Sequence, residues 1–114
     1  MTDHDDELAD VWDDWQRDVN MAPKELEQWL ETDESRSVGD SDGGESTGHR
    51  SGRRIVTLLR TKKAELTRDD VAWMRKVVGY VARHGAQRPD GDVTETRWRY
   101  SLMNWGHDPL KNRG

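Results

Sequence analysis

The side chains with the clearest chemical potential are arginines and lysines in the second half of the chain. At 100° per residue, a helix of about residues 68–83 collects four cations on the side opposite its apolar residues, with only the small Ala72 and Gly79 between them. The four are Arg68, Arg75, Lys76 and Arg83. An unobstructed basic stripe suits a phosphate backbone, from which most protein–DNA affinity originates. The alternative is an ordinary solvated helix face.

A second basic cluster lies in the run Gly48-His-Arg-Ser-Gly-Arg-Arg54. A flexible loop entering a helix N-terminus offers backbone N–H groups and a helix dipole to an anion, and this loop adds Arg50, Arg53 and Arg54. Gly43 and Gly48 share the outer spacing of a P-loop, but His49-Arg50 stand where Lys-Ser/Thr is required. We therefore exclude nucleotide hydrolysis; a plain helix cap is the alternative to a phosphate contact.

A third cluster, Arg97-Trp-Arg-Tyr100, interleaves cations with aromatic rings, as base-stacking surfaces do. Helical spacing assigns Trp98 to the core, which leaves Arg97 and Arg99 as candidate contacts. The four histidines lack metal-ligand spacing, and no nucleophile–base constellation is visible. We predict neither an enzyme, a cofactor, a metal site nor a small-molecule substrate.

The elements that must position these side chains are helices. One stripe on a helix of about residues 5–19 places five apolar residues at i, i+3, i+4, i+7 and i+11; they are Leu8, Val11, Trp12, Trp15 and Val19. A shorter helix follows Pro23, a favourable first-turn residue. No strand and no internal repeat is visible.

The basic clusters belong to the later helices. Thr67-Arg-Asp-Asp70 is a capping-box variant with a carboxylate at the N3 position, and it opens the helix that carries the stripe. Ser51 predicts the N-cap of a preceding helix of about residues 52–63, so that the two form a helix-turn-helix-like pair. Thr94 predicts the cap of a last helix, about residues 95–105.

These elements predict an all-α fold: a small bundle of about five helices in one domain of residues 1–114. Within it we distinguish an acidic helical part (5–32), a flexible acidic loop (33–48) and a basic helical part (49–110). The charge divides accordingly. Residues 1–47 hold 16 carboxylates against three cations, a net charge of −13, whereas residues 48–114 carry +8. An asymmetry of this size indicates an interaction surface or an acidic tail.

Composition narrows the class of protein further. The absence of cysteine excludes disulfides and thiolate chemistry. Neither a signal peptide nor a membrane span is visible, which predicts a cytoplasmic protein without membrane contact. Arginine outnumbers lysine 13 to 5, phenylalanine is absent and carboxylates dominate. Because carboxylates keep a surface hydrated in concentrated salt, we expect a salt-adapted organism.

Three stretches together resemble a known family: Ser51-Gly-Arg-Arg-Ile-Val, Met74-Arg-Lys-Val-Val-Gly-Tyr-Val-Ala-Arg-His84 and Trp98-Arg-Tyr-Ser-Leu-Met-Asn-Trp-Gly-His-Asp-Pro-Leu-Lys111. The family, domain of unknown function 3140, comprises small uncharacterised proteins of salt-loving archaea and actinobacteria. Some members are labelled DNA-binding, so the resemblance implies, as an expectation, a role at DNA. It implies no catalytic residues.

The leading hypothesis is therefore a non-enzymatic, nucleic-acid-associated protein, with DNA as the expected partner. Its proposed contact residues are Arg50, Arg53, Arg54, Arg68, Arg75, Lys76, Arg83, Arg97 and Arg99. One alternative is a protein-interaction module or homo-oligomer that uses complementary acidic and basic faces. Another is a self-contained charge match, in which the acidic half folds onto the basic stripe.

Overall fold

The computed structural model describes residues 3–38 and 47–111, and the described residues are helical without any strand. The order is α1 (Asp3–Asp18), α2 (Pro23–Leu30), α3 (Asp33–Ser37), α4 (Thr47–Leu59), a 3₁₀ turn (Lys63–Glu65), α5 (Arg68–Gly85) and α6 (Arg97–Asn104). The predicted all-α bundle is confirmed. Five helices match predicted ones, and α3 is an addition.

The predicted stripe of α1 packs against α5. Leu8, Val11 and Trp15 are buried in the main core, and Trp12 lies half-buried at its edge. Their i, i+3, i+7 spacing puts them on one side of the helix. The acidic half of the chain is therefore tied to the basic half by apolar packing, and its first helix is not a loose tail.

The start of α5 follows the predicted capping box. Thr67 Oγ1 accepts a hydrogen bond from the Asp70 amide at 3.2 Å, and Asp70 Oδ2 accepts one from the Thr67 amide at 3.0 Å. These reciprocal bonds satisfy two amides that the first turn of a helix leaves without partners. The buried face is the predicted one; its residues are Val71, Met74, Val77 and Val81.

The prediction for α4 was wrong at its start. The helix begins at Thr47, and Ser51 lies buried inside it, where its Oγ accepts the indole N–H of Trp73 at 3.2 Å. Gly52 is equally a packing residue, because a Cβ there would sit 2.6 Å from the backbone oxygen of Asn104. The expected loop entering a helix N-terminus at 48–54 is therefore helix.

The predicted helix-turn-helix-like pair remains a prediction. Residues 60–67, which include the 3₁₀ turn, connect α4 to α5, and this connection is longer than the roughly three- to four-residue turn of that motif. The main packing partner of α4 is α2, and that of α5 is α1. Residues 33–37 of the expected acidic loop form α3, capped by Thr32, and residues 39–46 lie outside the described residues.

The last helix is shorter than predicted. Its N-cap is Thr96, whose Oγ1 accepts the Arg99 amide at 3.2 Å, whereas the expected cap Thr94 bonds to Asp92. Trp98 is buried in a small second core together with Leu102 and Val93. The core assignment of Trp98 is thus confirmed.

The end of α6 connects the other helices. Asn104 is 2% exposed; its Oδ1 accepts the indole N–H of Trp29 at 2.8 Å and the hydroxyl of Ser35 at 2.6 Å, and its Nδ2 donates to the Ser35 carbonyl at 3.1 Å. Gly106 follows with a φ of +81°, a conformation that favours glycine. The tryptophan-rich motif of residues 98–111 therefore holds α2 and α3 to α6.

Candidate nucleic-acid interface

The basic stripe of α5 faces solvent, as the helical spacing predicts. Its four cations are all exposed: Arg68, Arg75, Lys76 and Arg83. Ala72 is exposed between them, and Gly79 is covered by the guanidinium of Arg83, whose Nη1 lies 3.0 Å from the position of a Cβ. The stripe nevertheless does not act as one surface, because its two edges have neighbours of opposite charge.

One edge of the stripe lies beside the acidic α1. Arg75 Nη2 donates to the backbone oxygen of Glu7 at 3.4 Å and lies 3.8 Å from Asp10 Oδ2. The Asp10 side chain is 76% exposed, so this ion pair contributes at most about 1 kcal/mol to stability. Within the described residues, α1 reaches Arg75 alone among the four cations. Among residues 6–38 and 48–111, whose side chains the structure describes, the contact of α1 carboxylates with the stripe lies at this edge.

The other edge of the stripe meets α4 at Trp73. Lys76 Nζ lies 4.6 Å from the centre of the Trp73 ring, and the guanidinium carbon of Arg54 lies 5.1 Å from it. Arg54 also donates to Asp70 Oδ1 at 3.0 Å. Burial raises the pKa of Asp70, but hydrogen bonds from Thr67 and Arg54 outweigh it and hold the pKa below its ordinary value. Trp73 therefore joins cations of two helices.

The exposed face of α4 supplies the rest of the positive charge. Arg50, Arg53 and Arg54 stand at i, i+3 and i+4 and share one side of the helix; Arg50 and Arg53 are exposed and Arg54 is half-buried. We call Arg50, Arg53, Arg54 and Lys76 the α4–α5 basic surface. Helical spacing predicts that these residues are exposed but does not place Lys76 beside the arginines, because that depends on the hydrogen bond of Trp73 to Ser51.

Arg97 and Arg99 lie outside this surface. Arg99 forms a two-point ion pair with Asp108, Nε to Oδ1 and Nη2 to Oδ2 at 3.1 Å each, and Nη1 donates to the Thr94 carbonyl at 2.9 Å. Burial opposes ionisation of Asp108, but the bonds from Arg99 and the Leu110 amide lower its pKa. Arg97 donates to the Ser37 carbonyl at 3.2 Å. The guanidinium of Arg99 thus joins the start of α6 to the segment that follows it and stabilises the fold.

The described part of the chain also contains a groove and a buried histidine. A groove of about 430 Å³ between α2, α3 and α4 is lined by the ion pair of Arg60 with Glu27 and also by Arg53. His84 Nε2 is buried without a hydrogen-bond partner, and burial lowers the pKa of His84. Among the described residues, no three His, Asp or Glu side chains are grouped to hold a metal ion. No helix there is long and apolar enough to cross a membrane.

Comparison with known proteins identifies a family without an assigned activity. The family model described as "Protein of unknown function (DUF3140)" matches residues 14–103. The matched region contains α2 to α5, the last five residues of α1 and all but the last residue of α6, and therefore the whole α4–α5 basic surface. No curated protein and no solved structure matches the chain.

Proposed function

The chain belongs to this family of proteins of unknown function, and we propose that it is a non-enzymatic DNA-binding protein whose contact surface is the α4–α5 basic surface. The observation that carries the proposal is the grouping at Trp73. Arg54 of α4 and Lys76 of α5 lie over this ring, and Asp70 faces Arg54. Arg50 and Arg53 are exposed on the same side of α4 as Arg54. Phosphate contacts from such cations position a protein on a duplex without reading its sequence.

The position of α1 decides how DNA would approach. The α1 carboxylates Asp6, Asp10 and Asp13 are exposed, and Asp10 lies next to Arg75 at one edge of α5. Phosphates are repelled there and attracted on the α4 side of the helix. We therefore expect the duplex to lie over α4 and Lys76, not along the full length of α5. Arg68 and Arg83 would contribute from the flanks.

The proposal implies weak binding at high salt. Each phosphate neutralised contributes a slope of roughly −0.9 to the dependence of log K on log salt concentration. Four cations give a slope of about −3 to −4 by this rule. In a salt-adapted cytoplasm, which the composition led us to expect, phosphate contacts alone would not suffice. Binding there would need additional shape contacts or a high local DNA concentration.

The test is a matched pair of charge reversals. Arg50→Glu will weaken binding of a 20-base-pair duplex at about 0.1 M salt roughly tenfold, the value of one phosphate contact plus repulsion, and will reduce the salt slope by about one. Arg50 is exposed and has no ion pair within the described residues. Fluorescence anisotropy of labelled DNA across a salt series measures both quantities.

Lys24→Glu is the control. Lys24 is exposed in the first turn of α2, as Arg50 is in the first turn of α4, and the substitution changes the net charge equally. We expect Lys24→Glu to change the affinity less than twofold. Equal weakening by both variants would mean that net charge alone acts and would contradict a binding surface on α4.

A protein-interaction module is the second candidate, supported by the exposed carboxylates of α1. Asp6 and Asp13 have no ion pair within the described residues, so an acidic and a basic surface of one copy are both open to another copy. Salt-dependent dimerisation in sedimentation velocity, without DNA binding at any salt that keeps the protein folded, would support this candidate and overturn the DNA-binding proposal.

A further inference from the structure

The aromatic side chains bear on which form of nucleic acid fits the α4–α5 basic surface. The chain has six tryptophans and two tyrosines, an unusual supply of groups on which unpaired bases stack. All eight lie in the described ranges, and none of them is exposed there. The one exposed large hydrophobic residue among the described ones is Leu110.

The ring nearest the basic surface already has partners. Trp73 is half-buried, its indole N–H donates to Ser51, and the cations of Arg54 and Lys76 lie over its ring at 5.1 and 4.6 Å from the centre. A base that stacked on this ring would have to displace a cation. The gain from stacking would then be offset by a lost cation–π contact and a lost phosphate contact.

The remaining rings are covered by cations, by the core or by other rings. Lys63 Nζ lies 4.3 Å from the centre of the Trp12 ring, and the Arg88 guanidinium lies 5.4 Å from that of Trp98. Trp15 is 4% exposed. The other four rings pack in pairs: Trp29 with Tyr100 at 5.5 Å between centroids, and Tyr80 with Trp105 at 4.2 Å. The cations of the surface are therefore accessible to a ligand, whereas the aromatic rings pack within the protein.

We propose that the α4–α5 basic surface selects double-stranded over single-stranded nucleic acid and contacts the phosphates without reading the bases. This inference rests on the proposed function and specifies its ligand class. A surface that binds by charge alone follows charge density, and a duplex carries one phosphate per about 1.7 Å of axis, twice that of one strand. Proteins that bind single strands combine a basic groove with stacking rings, and here every tryptophan and tyrosine is buried or half-buried.

The contacts of Arg54 and Lys76 also bear on whether the surface distinguishes one DNA sequence from another. Arginine reads guanine through two hydrogen bonds in the major groove, which requires a side chain that projects freely. Arg54 is tied to Asp70 and Trp73, and Lys76 to Trp73, so these two cations are held at the protein surface. Because two of the four cations are held in this way, duplexes of different sequence are expected to bind within about tenfold of each other.

The experiment compares ligands of equal length on the full chain. Labelled 20-base-pair DNA duplexes, one GC-rich and one AT-rich, a 20-base-pair RNA duplex and the unstructured single strand dT20 are titrated by anisotropy at about 0.1 M salt, with tryptophan emission recorded for each. We expect at least tenfold tighter binding of the duplexes than of dT20, and no quenching of tryptophan emission at saturating dT20, since stacking on a base quenches an indole.

Each alternative result has a distinct meaning. Binding of dT20 as tight as duplex, with quenching, would overturn the duplex inference and leave the proposed nucleic-acid function standing. A difference above tenfold between the two DNA duplexes would overturn binding without base contacts. Binding of no ligand would overturn the proposed function and the inference with it. Tight binding of the RNA duplex alone would support duplex selection and replace DNA with RNA as the partner.

Trp73→Phe checks the same point with a variant. Phenylalanine keeps a ring under both cations and removes the indole N–H that bonds to Ser51. The ratio of duplex to dT20 affinity is expected to stay within twofold of the parent. If the loss of the indole lowered dT20 binding tenfold and left duplex binding unchanged, Trp73 would be a base-stacking residue and the inference would be wrong.

Discussion

Asn104→Ala is expected to lower the free energy of unfolding by about 2–4 kcal/mol, because it leaves several buried polar groups without partners. The Asn104 amide accepts from the Trp29 indole and the Ser35 hydroxyl and donates to the Ser35 carbonyl. Ser35 is 0% exposed, so water does not readily replace the lost bonds. Thermal and urea unfolding, followed by circular dichroism, measure the change.

Two further variants make this result specific. Gln28→Ala removes an exposed amide from α2 and is expected to change stability by less than about 0.5 kcal/mol. Asn104→Asp keeps the Oδ1 that accepts from Trp29 and Ser35, but it loses the Nδ2 donor to the Ser35 carbonyl and introduces a charge at a 2% exposed position. It should therefore destabilise at neutral pH and recover in part in acid. A loss below 1 kcal/mol for Asn104→Ala would contradict the role of this side chain in joining α2 and α3 to α6.

Arg99→Ala is expected to cost about 2–4 kcal/mol in stability and to leave DNA affinity unchanged. Removal of one partner from a buried ion pair leaves the other charge uncompensated. The side chains of Arg99 and Asp108 are 19% and 11% exposed, which places the cost near the lower end of the range for such pairs. Unfolding experiments and anisotropy at a temperature where the variant is folded measure the two effects separately.

Arg97→Ala is the matched control, two residues away on the same helix. Arg97 is exposed, and its one hydrogen bond within the described residues is to the Ser37 carbonyl, so the expected change in stability is within about 0.5 kcal/mol. Arg99→Lys should not rescue the loss, since a lysine cannot make the two-point contact with a carboxylate. If the folded Arg99→Ala variant bound DNA tenfold more weakly, Arg99 would be a DNA-contact residue and this prediction would be wrong.

The helices that the sequence predicts well are those whose signals are local. Thr67 and Asp70 form the predicted capping box, and Leu8, Val11 and Trp15 follow a helical period, so short-range rules suffice for α5 and α1. The start of α4 failed for a long-range reason. Ser51 resembles a cap in sequence, but Trp73 occupies its hydroxyl from 22 residues away. The burial of Ser35 in the short α3 likewise depends on a distant residue, because its hydroxyl donates to Asn104.

For the candidate site too, features set by one helix could be predicted and features set by packing between helices could not. Helical spacing correctly predicts that Lys76 and Arg75 face solvent, because exposure follows from the period of one helix. It does not predict that Arg75 lies beside Asp10 and Lys76 beside Arg54, since this depends on which helices flank α5. Nor does it reveal that Arg99 is used by Asp108.

The charge asymmetry of the chain therefore corresponds to two surfaces that meet at one edge of α5. The acidic α1 is fixed to α5 by buried apolar residues and touches the stripe at Arg75. The basic area lies mainly on α4, on the other side of Trp73. In this arrangement α1 borders the stripe at Arg75, on the edge away from Lys76, and its carboxylates are expected to repel phosphates from that edge.

The DNA-binding surface on α4 and α5 is tested most directly by mapping which residues DNA contacts. In a ¹⁵N NMR titration with a 20-base-pair duplex, the amides of Arg50, Arg53 and Arg54 and the indole N–H of Trp73 are expected to shift. The indole N–H of Trp29, bonded to buried Asn104, is expected to stay unchanged and serves as the internal control. Shifts confined to the amides of α1, or an unchanged spectrum at saturating duplex, would contradict a DNA-binding surface on α4 and α5.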